Sequence, residues 1–334
     1  MNPTIKDVAK MANVSIATVS RVLNNLGGYS DKTKQRVNEA IRELGYQPNA
    51  IARGLINKRT QTLGVLFPNV SSSFSSDILQ GVEDFAHSRN YSVLVCNTDG
   101  EEKRTMKYLQ LLREKQVDGI IFSSSMLKDE YYETIKSMKI PVVLISSQSN
   151  YPAIPYVTIN DRLAACDAVE YLINRGHRKI AMIAGTENDV LTGAPRMDGY
   201  LRALRKHRIP IDERYLVHGD FRFESGCKAL ETLLRTAPDI TAIFAASDEM
   251  AIGVLSAASR HGLKVPDDLS VIGFDGLQLS NMVVPPLTTV SQPLQEMGKI
   301  AAETLIRSIE TGETAEGIIV SHSIVERQTV RTLT

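Results

Sequence analysis

Thr4-Ile5-Lys6-Asp7-Val8-Ala9-Lys10-Met11-Ala12-Asn13-Val14-Ser15-Ile16-Ala17-Thr18-Val19-Ser20-Arg21-Val22-Leu23 is the stretch from which the rest of the chain is read. Thr4 and Asp7 stand at capping-box spacing, a hydroxyl followed three residues later by a carboxylate, so a helix starts near Ile5. Ile5, Val8, Ala9 and Ala12 fall at i, i+3, i+4 and i+7 and form one apolar stripe. Asn13 tolerates the backbone of a tight turn, Val14 plugs the corner, and Ser15 caps a second helix. On that helix Val19, Val22 and Leu23 point inward, leaving Ile16, Ala17, Ser20 and Arg21 outward. Small and hydroxyl-bearing side chains at a helix N-terminus, beside a basic residue, suit entry into a DNA major groove. The pattern is a helix-turn-helix; the plainer alternative is a pair of bundle helices.

The following residues weigh against that alternative. Ser30-Asp31-Lys32-Thr33 opens a third helix, with Val37, Ala40, Ile41 and Leu44 on one stripe and Lys32, Lys34, Arg36 and Arg42 exposed; Gly45 stops it. Charge divides the chain in the same place. The whole balances 38 basic against 38 acidic residues, yet residues 1–60 hold ten Lys/Arg and only four Asp/Glu. A basic head on an acidic body is what attraction to phosphate requires.

At 334 residues there is room for two or three domains. The N-terminus lacks an apolar signal-type segment and no apolar run reaches 18 residues, so secretion and membrane spanning are not expected. Cys96, Cys166 and Cys227 are scattered and read as reduced core residues without zinc spacing.

From about Thr62 short apolar strands alternate with amphipathic helices. The strands expected are Thr62–Phe67, Ser92–Asn97, Gly119–Ser124, Val142–Ser146, Val157–Asn160, Lys179–Ala184, Ala242–Ala246 and Val271–Phe274. Helices are expected at Asp77–Ser88, Lys103–Lys115, Arg162–Arg175, Gly199–Lys206, Glu224–Arg235 and Glu249–His261. Continuously apolar strands separated by helices imply doubly wound parallel sheets covered on both faces. Two such runs imply two lobes with a cleft between them, and ligands bind beyond the carboxyl ends of the strands. Asn69, Ser123, Ser146, Gly185, Ser247, Asp248 and Asp275 occupy those ends. The six histidines are dispersed, and neither a nucleophile elbow nor a phosphate-binding glycine loop is present, so an enzyme is not expected and no metal or cofactor is implied.

The assembled motifs resemble the LacI/GalR family of bacterial transcription regulators over essentially the whole chain. They are Ile5–Val8 with Ala17-Thr18-Val19-Ser20-Arg21-Val22-Leu23-Asn24, then Gly45-Tyr46-Gln47-Pro48-Asn49-Ala50-Ile51-Ala52-Arg53-Gly54-Leu55. Gly119-Ile120-Ile121, Gly176-His177-Arg178-Lys179-Ile180-Ala181, Asp248-Glu249-Met250-Ala251-Ile252-Gly253 and Val271-Ile272-Gly273-Phe274-Asp275 follow. Around the recognition helix and hinge the wording is especially similar to the catabolite control subgroup.

The resemblance implies an all-α helix-turn-helix headpiece (1–46), a hinge helix and linker (47–60), and a two-lobed core (61–334) of the periplasmic-binding-protein type. The core would sense a small molecule and dimerise. Further expectations are a cytoplasmic repressor of a carbohydrate-utilisation operon, nucleoid-associated when bound, acting as a homodimer on a pseudo-palindromic operator and controlled by a sugar or sugar phosphate. The alternative is a global catabolite regulator activated by a phosphorylated carrier protein or a corepressor. Hinge residues Asn49, Ala52 and Arg53 would order on DNA, since so short a helix is marginal alone. Leu55 would wedge between base pairs at the operator centre.

Ile16 and Ala17 match the variable recognition positions and can make only apolar base contacts. Arg21 either reads guanine or grips phosphate. Thr4, Ser15, Thr18, Ser20, Asn24 and Ser30 are expected as backbone clamps, with Ser15 also a plain N-cap.

For the effector site the resemblance implies Phe74, Ser123, Arg196, Phe221, Ser247 and Asp275, with Asp248 either joining them or capping the helix of Met250. Arg196 offers a planar fork of donors and Asp275 an acceptor. Phe74 and Phe221 either stack on the ligand or fill the core. Two departures bear on the ligand. Many sugar-binding members carry an acid where this chain has Ser146. Arg196 matches the small-molecule-responsive members, and Glu303 stands where the carrier-binding helix of the catabolite control subgroup is basic. A dedicated sugar-responsive regulator is therefore favoured.

Overall fold

Three helices, Ile5–Met11, Ile16–Leu23 and Asp31–Leu44, take shape where the capping residues place them. They belong to a computed structural model that describes residues 3–23, 26–46, 59–123, 126–147, 149–187 and 189–333. The Asp7 carboxylate accepts from the Thr4 N–H at 2.8 Å and from its hydroxyl at 2.7 Å, bonds that hold this exposed carboxyl below its ordinary range. Ser15 Oγ accepts from the Thr18 N–H at 3.1 Å, and Ser30 Oγ from the Thr33 N–H at 3.3 Å. Asn13 makes the turn at φ 50 and Gly45 ends the third helix at φ 61. Val8, Val19 and Val37 are fully buried at the centre of this unit, with Ala9, Ala12, Val22 and Ala40 around them. Ile16 is 45% exposed, so the small core does not use it. Asn24 and the expected hinge residues Asn49, Ala52, Arg53 and Leu55 lie outside the described residues.

The chain divides into two compact units, Met1–Gln61 and Thr62–Thr334. The second unit carries strands β1 (Thr62–Phe67), β2 (Ser92–Asn97), β3 (Gly119–Phe122), β4 (Val142–Ile145), β5 (Tyr156–Ile159) and β6 (Ile180–Ala184). Further along come β7 (Leu216–His218), β8 (Ala242–Ala245), β9 (Ser270–Asp275), β10 (Thr288–Ser291), β11 (Ile318–Val320) and β12 (Ser323–Val325). They form two sheets, ordered β11-β5-β4-β3-β1-β2 and β12-β10-β9-β8-β6-β7. Every pairing is parallel except β10 with β12. Thr62 registers with Ser92, and Met182 with Leu216. Strands β6 to β10 thus repeat the winding of β1 to β5, and each sheet has a switch point beside its first strand, where the connections part to opposite sides.

The lobes are interleaved. After β5 the chain leaves its sheet for the helix Asp161–Asn174, which packs on the helix Gly193–Lys206 of the second lobe. After β10 it returns to the helix Leu294–Thr311, which packs on Ser73–Ser88 of the first. The step from β11 to β12 crosses once more. One apolar core, from Leu63 and Phe67 to Phe244 and Phe274, runs through both lobes.

Two helices start several residues earlier than periodicity indicates. Ser73–Ser88 begins four residues before Asp77 because Ser72 caps it through the Ser75 N–H. Gly193–Lys206 begins six residues before Gly199 because Asp189 accepts from the N–H groups of Leu191, Thr192 and Gly193. Beyond the end of β11 the described residues hold only β12 as regular structure. The last residues are tied down singly, the Leu333 N–H to the Arg175 carbonyl at 2.7 Å. The three cysteines are free and buried. Among the described residues no helix is long and apolar enough to cross a membrane.

Candidate functional site: a cavity between the lobes

A cavity of about 630 Å³ is lined by residues that follow the carboxyl ends of strands from both sheets. Among those lining it are Ser123 after β3, Ser146 after β4, Phe221 after β7, Ser247 after β8 and Asp275 at the end of β9. Phe74 and Arg196 reach it from the helices Ser73–Ser88 and Gly193–Lys206.

Arg196 is the organising group and is only 4% exposed. Its Nε donates to Asp161 Oδ1 at 2.8 Å and one terminal nitrogen to the Ala246 carbonyl at 2.6 Å. The same nitrogen stands 3.6 Å from Asp275 Oδ1, and the guanidinium lies 3.7 Å over the centre of the Phe274 ring. Gln292 Nε2 donates to Asp275 at 2.8 Å. The opposing carboxylates and the ring fix the guanidinium plane, so its remaining edge is presented to a ligand at little entropic cost. Burial pushes the Asp275 carboxyl up to about 7 although Arg196 and Gln292 favour its charged form, and burial also raises Asp161.

Strained backbone gathers here. Ser146 (φ 47), Phe221 (φ 66) and Asp275 (φ 122) all adopt positive φ, which L-residues hold only when the surroundings enforce it. Phe221 lies against Gly185, where a Cβ would stand 2.2 Å from the ring. The absent side chain at Gly185 is what lets the ring reach the cavity.

Six of the expected effector residues line the cavity together: Phe74, Ser123, Arg196, Phe221, Ser247 and Asp275. Asp248 is a correction. It is wholly buried, with its carboxylate oxygens engaged by the Leu277 N–H at 2.7 Å and the Thr289 hydroxyl at 2.5 Å. Its side chain ties the segment after β9 and strand β10 to the helix start instead of lining the cavity. The capping role goes to Ser247, whose Oγ accepts from the Met250 N–H at 3.2 Å and donates to the Phe221 carbonyl at 3.1 Å.

Asp161 and Gln292 were missed by sequence reasoning. Asp161 directly follows the expected strand Val157–Asn160, so the strand-end rule was available for it, whereas Gln292 follows β10, which was not among the expected strands. Ser146, expected at a strand end and noted as a departure from sugar-binding members, lines the cavity with its Oγ buried and without a hydrogen-bond partner.

In the first unit Ile16, Ala17 and Arg21 are exposed on the second helix, while Ser15 and Thr18 are joined by a 2.9 Å hydroxyl contact at its start. Thr4 and Ser30 stand exposed at the starts of the first and third helices, and Ser20 is half-buried.

Residues 60–328 match the family described as periplasmic binding proteins and sugar binding domain of LacI family, and residues 4–49 match bacterial regulatory proteins, lacI family. The chain is 42% identical to catabolite control protein A of Priestia megaterium over 333 residues, covering 99% of this chain and 100% of that one. It is similar to the lac repressor dimer bound to operator and the anti-inducer ONPF, with TM-score 0.90 at 27% identity, covering 99% of this chain and 100% of that one. It is also similar to a transcriptional regulator CelR–cellobiose complex, with TM-score 0.75 at 31% identity, covering 98% and 99%.

Proposed function

Because this chain belongs to the lacI family of bacterial regulatory proteins, we propose that it represses a carbohydrate-utilisation operon under the control of a sugar or sugar phosphate bound in the cavity between its lobes. It is a DNA-binding transcriptional regulator and not an enzyme. The observation that carries the sugar reading is the convergence of Phe74, Ser123, Arg196, Phe221, Ser247 and Asp275 on one cavity. Two aromatic faces and a ring of hydroxyl, guanidinium and carboxylate groups are the usual receptor for a polyol.

In this reading residues 1–46 are the headpiece, 47–60 the hinge and 61–334 the sensing core of a cytoplasmic homodimer. Ile16, Ala17 and Arg21 face base edges of each half-site, while Thr4, Ser15, Thr18, Ser20, Asn24 and Ser30 hold phosphates. Asn49, Ala52, Arg53 and Leu55 meet the operator centre. Ligand and operator affinities are then coupled reciprocally.

The 42% identity to catabolite control protein A favours a second reading, activation by a phosphorylated carrier protein. The preorganised Arg196 and the cavity around it favour a small molecule. The test is binding of the full chain to the duplex it enriches from a random-sequence pool, with and without individual sugars and sugar phosphates. A tenfold change in half-saturation with one of them is expected; no change with any, alongside a response to phosphorylated carrier protein, would refute the sugar reading.

A further inference from the structure

The charges around the cavity point to a narrower ligand class than a sugar or sugar phosphate. This step rests on the cavity being the effector site. Among the described residues three cations line it, Lys128, Arg196 and Arg222; Arg196 and Lys128 are paired with carboxylates, and Arg222 is exposed. Arg196 has Asp161 at 2.8 Å and Asp275 at 3.6 Å. Lys128 is paired with Glu102 at 2.6 Å. Arg222 shares the lining with two carboxylates, Asp220 and Glu249.

The other common anion receptor is a helix N-terminus, and those nearby carry their own acceptors. Asp189 occupies the start of Gly193–Lys206, taking the N–H groups of Leu191, Thr192 and Gly193. Ser247 caps Asp248–Arg260, whose first turn adds Asp248 and Glu249. Ser72 caps Ser73–Ser88. Burial raises both Asp161 and Asp275, and the Arg196 guanidinium that each touches opposes that shift, so its charge is already engaged by two carboxyls.

We propose that the cavity takes an uncharged polyhydroxy ligand and rejects its phosphate monoester, and that Asp161 sets this selectivity by neutralising Arg196. Asp161 is positioned for that role by the crossover after β5, where Asn160 caps the helix it begins through the Leu163 N–H at 3.1 Å. Ligand hydroxyls are served by what remains. The free edge of Arg196 donates, Asp275 accepts, and the unpartnered Ser146 Oγ gains its missing bond. A phosphate dianion would meet these carboxylates where the buried cation of the lining, Arg196, is already paired, a like-charge juxtaposition that binding sites use for rejection.

The test is calorimetric titration of the full chain with ribose, glucose, galactose, fructose and cellobiose, each beside its monoester phosphate, at pH 8. One uncharged sugar is expected to bind, with its monoester at least about a hundredfold weaker. In the Asp161→Asn variant, checked for folding by its far-UV spectrum, that ratio should fall at least tenfold. A monoester that binds as tightly as its parent sugar or tighter overturns the proposal while leaving the cavity as the effector site. An unchanged ratio in folded Asp161→Asn removes Asp161 from the role. Binding by none of these compounds overturns the sugar reading of the cavity, and the selectivity with it.

Discussion

Replacing Arg196 by alanine should cost this protein stability as well as ligand, and the structure gives the size of the loss. The side chain is 4% exposed and simultaneously holds Asp161 at 2.8 Å, the Ala246 carbonyl at 2.6 Å and the face of Phe274 at 3.7 Å. Truncation strands the carboxyls of Asp161 and Asp275, largely withdrawn from water, without their cation. Breaking one partner out of a buried charged pair costs about 3–5 kcal/mol. For a chain of this size each kcal/mol is worth about 2–4 °C, so the melting temperature of Arg196→Ala should fall by roughly 6–20 °C. Were Arg196 a ligand residue and nothing more, its loss would leave melting unchanged. Thermal denaturation followed by far-UV circular dichroism separates the two accounts when the wild type, Arg196→Ala, Asp161→Asn and the double variant are compared. The double variant should be destabilised by less than the sum of the two single losses, because the second change removes a carboxyl that the first had stranded. Below its melting temperature Arg196→Ala should still bind the enriched duplex but respond to no sugar. Melting of Arg196→Ala within about 2 °C of the wild type would refute the reasoning, since groups in a buried charged contact cannot be parted at that small a cost.

Gly185→Ala tests the placement of Phe221: the new Cβ would stand 2.2 Å from the ring, and overpacking of that kind costs about 1–3 kcal/mol. The variant should lose at least tenfold in sugar affinity by calorimetry, and retained affinity would show that Phe221 does not touch the ligand. Asp275 predicts a pH dependence whose sign is fixed. Its folded carboxyl titrates at about 7 against an ordinary value near 3.9, so between these limits the folded chain holds a proton that the unfolded chain has released. Its contribution is full below pH 4 and is lost as pH rises through 7. The melting temperature of the wild type relative to Asp275→Asn should therefore decline from pH 5 to pH 8. His177, lowered by burial, works in the opposite direction but is common to both proteins and drops out of the difference. A difference that stays flat across this range would mean that Asp275 is ionised throughout.

What the chain determines by itself is whatever depends on neighbours a few residues away. Thr4 with Asp7, Ser15 with Thr18 and Ser30 with Thr33 start their helices through bonds spanning three residues, and Asn13 and Gly45 supply the left-handed turns. Apolar runs such as Thr62–Phe67 and Ala242–Ala245 declare buried parallel strands on their own. The strand-end rule located Ser123, Ser247 and Asp275 without knowledge of which strands adjoin. Tertiary structure alone decided the rest. Ser247 and Asp248 are adjacent and both polar, yet one lines the cavity and the other is spent on Leu277 and Thr289, 29 and 41 residues away. Asp161 became part of the site only when the crossover after β5 brought it to Arg196, 35 residues on. The physical reason is that helix caps and strand periodicity are written in short-range geometry. Desolvation and the pairing of charges depend instead on which distant segments enclose a group, and that is known only once the lobes have closed around it.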